Sequence, residues 1–245
     1  MKKLNILSII PARGGSVRVP KKNVKLLNGK PLIAYAIEAS QQSKYVNRII
    51  VSTDSDEIKK VANKYGAETP FKRPADISED VPTEDVALHA IKWMEENEGY
   101  YADIVVCLEP PSPFRKSEHI DTCVEKLLTD VNLDSAITVN PVVKRPETMV
   151  RIDKNGKISS YSGFFESQGE ALLRFPASQI YESIYSPNGV VFSCRSSTLY
   201  RYGSLVGTSC VGIDIGTEDI FDLDYPEDFE LCELMIQKRL GKKRS

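Results

Sequence analysis

The sequence predicts an α/β fold in which a mostly parallel sheet is flanked by helices. Apolar runs at residues 4–10, 48–52 and 104–108 have the length and composition of strands that are buried on both faces. Each run ends in a polar loop, and a segment with helical spacing follows the loop. Because strands that alternate with helices pair in parallel, we expect a doubly wound sheet whose ligands bind at the carboxyl ends of the strands.

The first half of the chain supplies three predicted strands and three predicted helices. Pro11 ends the first strand because proline lacks the N–H that a strand ladder needs, and Pro31 can occupy the first turn of the next helix. We expect Thr53 or Asp54 to cap the helix after the second strand. The expected elements are a strand at 4–10, a helix at 32–39, a strand at 48–52, a helix at 57–65, a short strand at 67–71 and a helix that begins at 83.

The second half continues the alternation but contains an interruption. Residues 141–186 contain a predicted hairpin at 150–158 with Asn155 and Gly156 at its turn, and the stretch 161–185 is rich in serine, glycine and aromatic residues without a clean period. We interpret 141–186 as an insertion within a single domain of residues 1–245, and we expect it to form the interface of a homodimer. The other expected elements are strands at 104–108, 135–139, 190–194 and 209–213, a helix at 117–129 and a final helix from 226.

A loop with two glycines and several cations follows the first strand. Gly14 and Gly15 allow the main chain to approach a ligand closely, and exposed N–H groups beside cations are suited to a polyanion, most simply a triphosphate. The loop matches neither GxxxxGK[ST] nor GxGxxG, so it gives no support to a Walker loop or a dinucleotide fingerprint. A glycine turn with solvated lysines is the alternative. The cations are Arg13, Arg18, Lys21 and Lys22.

An acidic run at residues 216–228 contains two carboxylates separated by one apolar residue. On an extended segment the side chains of Asp222 and Asp224 point the same way, so both can face one ion. Mg²⁺ takes a few carboxylate oxygens and completes its shell with water and phosphate. The alternative is an acidic turn before the last helix, where Glu227 and Asp228 favour the helix N-terminus. Beside a basic phosphate loop, metal binding is the better interpretation.

Composition excludes several functional classes. The formal net charge is −2 with both signs interspersed, so we expect neither nucleic acid nor a membrane as a partner. Five cysteines without a CxxC pair indicate reduced, buried thiols, and no apolar span is long enough for a membrane or a signal peptide. We therefore expect a cytoplasmic protein. His89 and His119 lie in predicted helices and are expected to pack rather than to act in chemistry.

The motifs taken together resemble one family. In order, they are IIPARGGS at 9–16, VSTD at 51–54, KRP at 72–74, PSPFR at 111–115, PNG at 187–189 and DLDYPEDF at 222–229. This combination is similar to the acylneuraminate cytidylyltransferases, the CMP-sialic acid synthetase-like enzymes, over essentially the whole chain. The resemblance implies a Rossmann-like nucleotidyltransferase fold with a dimerisation insertion. It also implies an Mg²⁺-dependent reaction of CTP with a nonulosonic acid to give the CMP-sugar and pyrophosphate.

The resemblance also assigns site residues by position. The catalytic residues would be Arg13, Lys22, Asp222 and Asp224, of which Asp222 and Asp224 would bind Mg²⁺. The nucleotide would contact Ala12, Arg13, Gly14, Gly15, Ser16, Lys22 and Asn23, with Arg73 and Thr83 near the cytosine. The sugar would contact Glu109, Ser112, Arg115, Gln179 and Asn188.

The sequence departs from the family pattern at several of these positions. Val17 replaces the usual lysine after the loop serine, with Arg18 as a displaced substitute, and Glu109 replaces a glutamine beside the sugar. Ser178 and Ser186 stand where arginines are common. Two further hypotheses therefore remain open: a nucleotidyltransferase of the same fold for another acidic sugar or nucleotide, and a non-catalytic nucleotide-binding protein.

Overall fold

A computed structural model describes residues 4–79, 81–142, 144–162 and 182–242. The chain divides into two compact units, one of residues 1–139 with 187–245 and one of residues 140–186. The first unit contains the predicted alternation of strands and helices. Within the described ranges, no helix is long and apolar enough to cross a membrane.

A six-stranded, mostly parallel sheet is the centre of the structure, which confirms the predicted fold class. Strand β1 pairs in parallel with β4 and β5, β6 pairs in parallel with β10, and β9 is antiparallel to β5. The strand order across the sheet is β10-β6-β9-β5-β1-β4. The bounds are Ile6–Pro11 for β1, Arg48–Ser52 for β4, Ile104–Cys107 for β5, Ser135–Pro141 for β6, Tyr185–Arg195 for β9 and Cys210–Asp214 for β10. A separate small ribbon consists of β2, Leu26–Leu27, and β3, Lys30–Pro31.

Six described helices accompany these strands. Their bounds are Leu32–Gln41 for α1, Asp56–Lys64 for α2, Thr83–Glu98 for α3, Ser117–Thr129 for α4, Ser196–Tyr202 for α5 and Pro226–Lys242 for α6. Short 3-10 turns occur at Lys22–Val24, Ala75–Ile77 and Pro146–Thr148.

Two local expectations were wrong, and one helix was missed. The cap of α2 is Ser55, whose hydroxyl accepts the N–H of Ile58 at 3.4 Å, rather than Thr53 or Asp54. The expected strand at 67–71 is reduced to a single bridge between Ile50 and Glu68. Helix α5 was not expected, because its seven residues are too few to show a helical period.

The apolar core lies on both faces of β1. On one face Ile10 packs in a cluster with Ile33 and Ile37 of α1, and on the other Ile9 packs with Ile91 of α3. Each of these side chains is at most 1% exposed, and full burial of such a side chain contributes about 1.5–3 kcal/mol. The two-sided burial explains why the strand is a continuous apolar run.

A third apolar cluster positions the acidic run. Leu223 is fully buried with Phe114, Leu27 of β2, and Phe229 and Cys232 of α6. The N–H of Leu223 also donates to the carbonyl of Pro111 at 3.1 Å. The residues on either side of Leu223 are therefore held in place by a buried neighbour.

The cysteine expectation is confirmed for four of the five thiols. Cys107, Cys123, Cys194 and Cys232 are buried and free, whereas Cys210 is exposed. Burial raises the pKa of the Cys123 thiol to about 12. These buried thiols act as small apolar side chains.

The unit of residues 140–186 contains the expected hairpin. Strands β7, Val150–Ile152, and β8, Ile158–Ser160, are antiparallel, and Gly156 has the positive φ of 80° that the turn requires. Residues 163–181, including Gln179, fall outside the described residues. The dimer interface that we expected in this unit stays a prediction.

Candidate functional site

A cavity of about 380 Å³ lies at the carboxyl ends of the central strands. It is bordered by the loop after β1, the segment before α3, the loop after β5 and the acidic run. Its lining includes these predicted site residues: Arg13, Ser16, Lys22, Asn23, Arg73, Thr83, Glu109, Asp222 and Asp224. Predicted residues outside the lining are Ala12, Gly14, Gly15, Ser112, Arg115 and Asn188.

The loop after β1 is fixed by contacts to the next strand and within itself. The N–H of Ala12 donates to the carbonyl of Ser52 at 3.0 Å, and that of Gly14 donates to Asp54 Oδ1 at 2.8 Å. The side-chain amide of Asn23 donates to the carbonyl of Arg13 at 3.0 Å. Asp54 and Asn23 therefore fix the shape of the loop, and the N–H of Gly14 is already engaged, contrary to our expectation that it was available to a ligand.

Gly14 is required by the close approach of this loop to the turn before α2. A Cβ at this position would lie 3.0 Å from the Cβ of Ser55, which is tighter than ordinary contact, whereas a Cβ at Gly15 would meet nothing within 4 Å. Gly14 is thus a packing glycine. No such contact constrains Gly15, where a side chain would point into open space.

Arg73 is a buried cation at the cavity wall. Its guanidinium donates to the carbonyl of Ser52 and, at 3.2 Å, to the Ser52 hydroxyl. Desolvation lowers the pKa of Arg73 to about 10, with Asp54 opposing and Arg13 reinforcing the shift. Because the group still titrates well above neutral pH, Arg73 presents a fixed positive charge next to Arg13.

The acidic run presents two carboxylates in different electrostatic states. Asp224 accepts from Arg18 Nη1 at 2.7 Å and from Lys22 Nζ at 3.2 Å. Desolvation opposes ionisation of Asp224, but the contacts with Lys22 and then Arg18 outweigh it and lower its pKa. Desolvation, followed by repulsion from Asp224, raises the pKa of Asp222. In the part of the chain that the structure describes, Asp222 has no hydrogen bond or ion pair.

The donor set of this pair fits a hard divalent cation. Two carboxylates flank a buried Leu223, and the pKa of Asp222 is raised first by desolvation and then by the negative charge of Asp224, which a cation would offset. The described residues contain no group of three or more metal-ligating side chains. An ion bound by Asp222 and Asp224 would therefore depend on phosphate and water for its remaining ligands, which is typical of Mg²⁺.

Asp228 explains part of the acidic run without any metal. Its carboxylate accepts the N–H groups of Asp224 and Tyr225 at 2.8 Å and 2.7 Å at the start of α6. Asp228 thus has the role at the helix N-terminus that the sequence offered as the alternative to metal binding. That alternative applies to Asp228 and leaves Asp222 and Asp224 open to a metal.

Glu109 is paired despite its unusual charge. Its carboxylate accepts the Thr83 hydroxyl at 2.5 Å, and its negative charge opposes the fall in the pKa of the buried Arg115. Burial nevertheless lowers the pKa of Arg115 to about 10. The Thr83 contact and the nearby guanidinium thus compensate the carboxylate at this position.

Arg115 ties the loop after β5 to strand β9. It donates through Nε to the carbonyl of Val190 at 2.5 Å and through Nη2 to the carbonyl of Glu109 at 2.7 Å. Two buried donors nearby, Arg115 Nη1 and Asn188 Nδ2, have no hydrogen-bond partner among the described residues. Asn188 itself is fixed through its oxygen by the hydroxyl of Thr138 at 2.7 Å.

A charged cluster lies just before Asp222 and Asp224. Asp219 is buried and forms ion pairs with Lys116 and, at 3.2 Å, with Arg239, and His119 Nε2 lies 3.5 Å from its carboxylate. Burial lowers the pKa of His119 despite the nearby carboxylate. The cluster ties α4 and α6 to the acidic run, and neither His119 nor His89 is among the described residues that line the cavity.

Sequence reasoning missed several residues of the site. Glu79, Val81 and Val86 line the cavity without having been assigned to it, and they belong to a segment without a recognisable motif. Asp54 was expected at this edge of the sheet because it directly follows a strand, but its hydrogen bond to Gly14 was not expected.

Comparisons with known proteins agree with this geometry. A family model described as cytidylyltransferase matches residues 7–239. A CMP-N,N'-diacetyllegionaminic acid synthase from Legionella pneumophila is 33% identical over 241 residues, covering 96% of this chain and 97% of its own. An N-acylneuraminate cytidylyltransferase from Escherichia coli O18:K1:H7 is 30% identical over 97% of this chain and 54% of its own.

A solved structure is similar in fold. CMP:2-keto-3-deoxy-manno-octonic acid synthetase complexed with CTP superimposes with a TM-score of 0.70 and 18% identity, covering 96% of this chain and 99% of that one. The family resemblance drawn from the sequence motifs is confirmed by these matches. The chain belongs to the cytidylyltransferase family of nucleotidyltransferase enzymes.

Proposed function

We propose that the protein couples CTP to a nonulosonic acid of the sialic, legionaminic or pseudaminic type and releases pyrophosphate. The observation that carries this proposal is that Arg13 and Lys22 of the basic loop line the same cavity as Asp222 and Asp224. Cations and a carboxylate pair in one cavity are suited to a triphosphate with a divalent cation. The relative named as a legionaminic acid synthase, which aligns along nearly the whole chain, supports the choice of sugar.

The nucleotide would bind along the basic loop. We assign the triphosphate to Arg13, Ser16, Lys22 and Asn23, with Ala12, Gly14 and Gly15 shaping the loop. Arg73 and Thr83 would lie near the cytosine. The burial of Arg73 and its contacts with Ser52 support a fixed donor at this wall of the cavity.

The acidic sugar would bind beside the loop after β5, at Glu109, Ser112, Arg115, Asn188 and Gln179. Two observations favour a polar ligand here. Arg115 Nη1 and Asn188 Nδ2 are buried donors without a partner in the described ranges, and such groups are costly unless a ligand satisfies them. Glu109 can still accept a hydrogen bond from a sugar hydroxyl or amide after it has accepted one from Thr83.

The proposed reaction is an in-line displacement without a covalent enzyme intermediate. The anomeric hydroxyl of the sugar attacks the α-phosphorus of CTP, the bond from that phosphorus to the bridging oxygen breaks, and the hydroxyl proton passes to solvent. Arg13 and Lys22 stabilise the negative charge of the departing pyrophosphate. Mg²⁺, when bound by Asp222 and Asp224, supplies Lewis-acid polarisation of the reacting oxygens. We assign no dedicated general base.

We also propose a homodimer formed through residues 140–186. Its support is the exposure of apolar side chains on the hairpin of this unit, with Ile152 69% exposed and Ile158 38% exposed. Contiguous apolar exposure of this kind is typical of an interaction surface. Light scattering should give twice the chain mass of 27.4 kDa, and a monomer at micromolar concentration would refute the dimer.

Pyrophosphate release tests the function directly. The wild-type protein is supplied with CTP, Mg²⁺ and, in turn, sialic, legionaminic and pseudaminic acids and 3-deoxy-octulosonate, with ATP, GTP and UTP as nucleotide controls. Turnover with CTP and a nonulosonic acid is expected. Turnover with a different nucleotide, or only with another acidic sugar, would favour the second hypothesis. No turnover with any sugar, together with thermal stabilisation by CTP, would indicate that the site binds nucleotide and that its sugar lies outside the panel. No turnover and no stabilisation would refute the proposed function.

Asp224→Asn tests the role of the carboxylate pair. We expect turnover to be lost while the fold persists, because the substitution keeps the shape of the side chain and removes its charge. Glu227→Gln is the matched control, since it removes one exposed carboxylate from the same run outside the cavity. Retained turnover of Asp224→Asn at saturating Mg²⁺ would contradict the assignment.

A further inference from the structure

Asp224, one of the two proposed metal ligands, is engaged on both of its oxygens. Arg18 Nη1 lies 2.7 Å from Oδ2, and Lys22 Nζ lies 3.2 Å from Oδ1. These contacts already place two positive charges against the carboxylate, and a metal ion bound to Asp224 would be repelled by both of them. The two cations and a metal therefore compete for the same carboxylate.

The two cations differ in how firmly they are fixed. The Lys22 side chain is 17% exposed and is also bound to the carbonyl of Leu223 at 2.9 Å. The Arg18 side chain is 55% exposed, and its other contact is with the face of Tyr225, 5.3 Å from the ring centroid. Arg18 can therefore leave Asp224 at a lower cost in packing than Lys22 can.

Arg18 also lines the cavity that contains the basic loop. A guanidinium forms paired hydrogen bonds with phosphate oxygens, and a polyphosphate carries more charge than a single carboxylate. A triphosphate in the cavity thus offers Arg18 a stronger partner than Asp224. The side chain has two competing anionic partners within one site.

We propose that Arg18 is a placeholder cation that moves between Asp224 and the triphosphate. Without nucleotide, its guanidinium occupies Asp224 and weakens the binding of a divalent metal. When a nucleotide enters, Arg18 turns to the polyphosphate and exposes the carboxylate to the metal. Nucleotide and metal then promote the binding of each other by the same factor, as linkage requires. This inference rests on the proposed function, because it takes the ligand to be a nucleoside triphosphate.

Metal binding to the nucleotide-free protein tests the proposal without any turnover. Mn²⁺ is titrated and free Mn²⁺ is followed by electron paramagnetic resonance for the wild type, Arg18→Gln and Arg18→Lys. Because a partly exposed ion pair changes an equilibrium only a few-fold, we expect Arg18→Gln to bind Mn²⁺ about two- to fivefold more tightly. Arg18→Lys keeps the positive charge, so its Mn²⁺ affinity should stay close to the weaker affinity of the wild type.

Lys21→Gln is the matched control. Like Arg18→Gln, it removes one positive charge, and Lys21 is only three positions from Arg18 in the same loop. Lys21, however, pairs with Glu57 at 2.8 Å and not with Asp224. Adding Asp224→Asn to Arg18→Gln should abolish the gain in Mn²⁺ affinity. In EDTA, Arg18→Gln should also bind CTP more weakly than Lys21→Gln does in a calorimetric titration.

The outcomes separate this inference from the proposed function. Equal Mn²⁺ affinity for Arg18→Gln and Lys21→Gln, or no Mn²⁺ binding by any variant, would overturn the placeholder role even where the wild type binds CTP and releases pyrophosphate. Failure of the proposed function is visible separately, as a wild type that neither binds CTP nor releases pyrophosphate.

Discussion

Replacing Asp219 by Asn should destabilise the protein and also weaken metal binding at the proposed site of Asp222 and Asp224. The Asp219 side chain is 11% exposed and faces Lys116, Arg239 and His119, so the substitution leaves several donors around a neutral amide. Breaking a fully buried pair costs about 3–5 kcal/mol, whereas an exposed pair is worth about 0.2–1 kcal/mol. Lys116 and Arg239 are 51% and 37% exposed, which places the expected cost between these limits.

The expected loss is about 2 kcal/mol, or about 4–8 °C in the melting temperature for a chain of this size. Because Asp219 stands three residues before Asp222, the Mg²⁺ concentration for half-maximal activity should rise, with a smaller change in kcat at saturating metal. Glu218→Gln is the matched control, because it is the adjacent exposed carboxylate with no side-chain contact among the described residues.

The measurements are thermal unfolding by circular dichroism and pyrophosphate release across a range of Mg²⁺ concentrations. Both variants lose one negative charge, so a difference between them reports the cluster and not the net charge. If Asp219→Asn matched Glu218→Gln in melting temperature and in Mg²⁺ dependence, the cluster would not be an anchor of the acidic run.

Two further predictions concern stability. Gly207→Ala should unfold at a lower urea concentration than the wild type, with a loss of about 1–3 kcal/mol in the free energy of unfolding, because the new Cβ would lie 2.3 Å from the Cβ of Asp134. Gly241→Ala is the control, because its Cβ would meet nothing within 4 Å and its unfolding midpoint should not fall. Equal midpoints for the two variants would refute the clash. The free energy of unfolding should fall as the pH drops below about 6.5, because desolvation lowers the folded-state pKa of His89 and His119 while the unfolded histidines still take up protons. Urea titrations from pH 5 to pH 8 should show a shallower fall in His89→Gln, and an unchanged slope would contradict this origin.

The order of the elements followed from the sequence because local pattern and tertiary position agree. Strand β1 is buried on both faces, so its apolar run is continuous and easy to recognise. The helix cap after β4 was different, since Thr53, Asp54 and Ser55 are all good capping residues. Asp54 is instead bound to the N–H of Gly14, a residue 40 positions away, and Ser55 becomes the cap. Local sequence cannot report such a contact.

The same limit applies to the candidate site. Motifs indicated nine of the residues that line the cavity, because the carboxyl ends of parallel strands lie at one edge of a sheet, whereas six other predicted residues lie outside its lining. They did not reveal the ion pair between Arg18 and Asp224, which joins residues 206 positions apart. They also did not reveal the burial of Arg115 between the carbonyls of Glu109 and Val190. These features depend on packing between distant segments and on nothing in the adjacent sequence.

The charges of the cavity give a reason why nucleotide and metal should enter together. Among the described residues, its lining includes the cations Arg13, Arg18, Lys22 and Arg73 and the carboxylates Glu79, Glu109, Asp222 and Asp224. The formal charges of these side chains cancel, so a triphosphate alone would make this lining strongly negative, and a divalent cation alone would be repelled by the cations that already pair with Asp224. A triphosphate that binds together with a divalent cation would complement both sets of charges. The phosphates would attract the cations of the basic loop, and the metal would take the place of those cations beside the carboxylates. The separation of charge within the cavity therefore favours the pair of ligands over either ligand by itself.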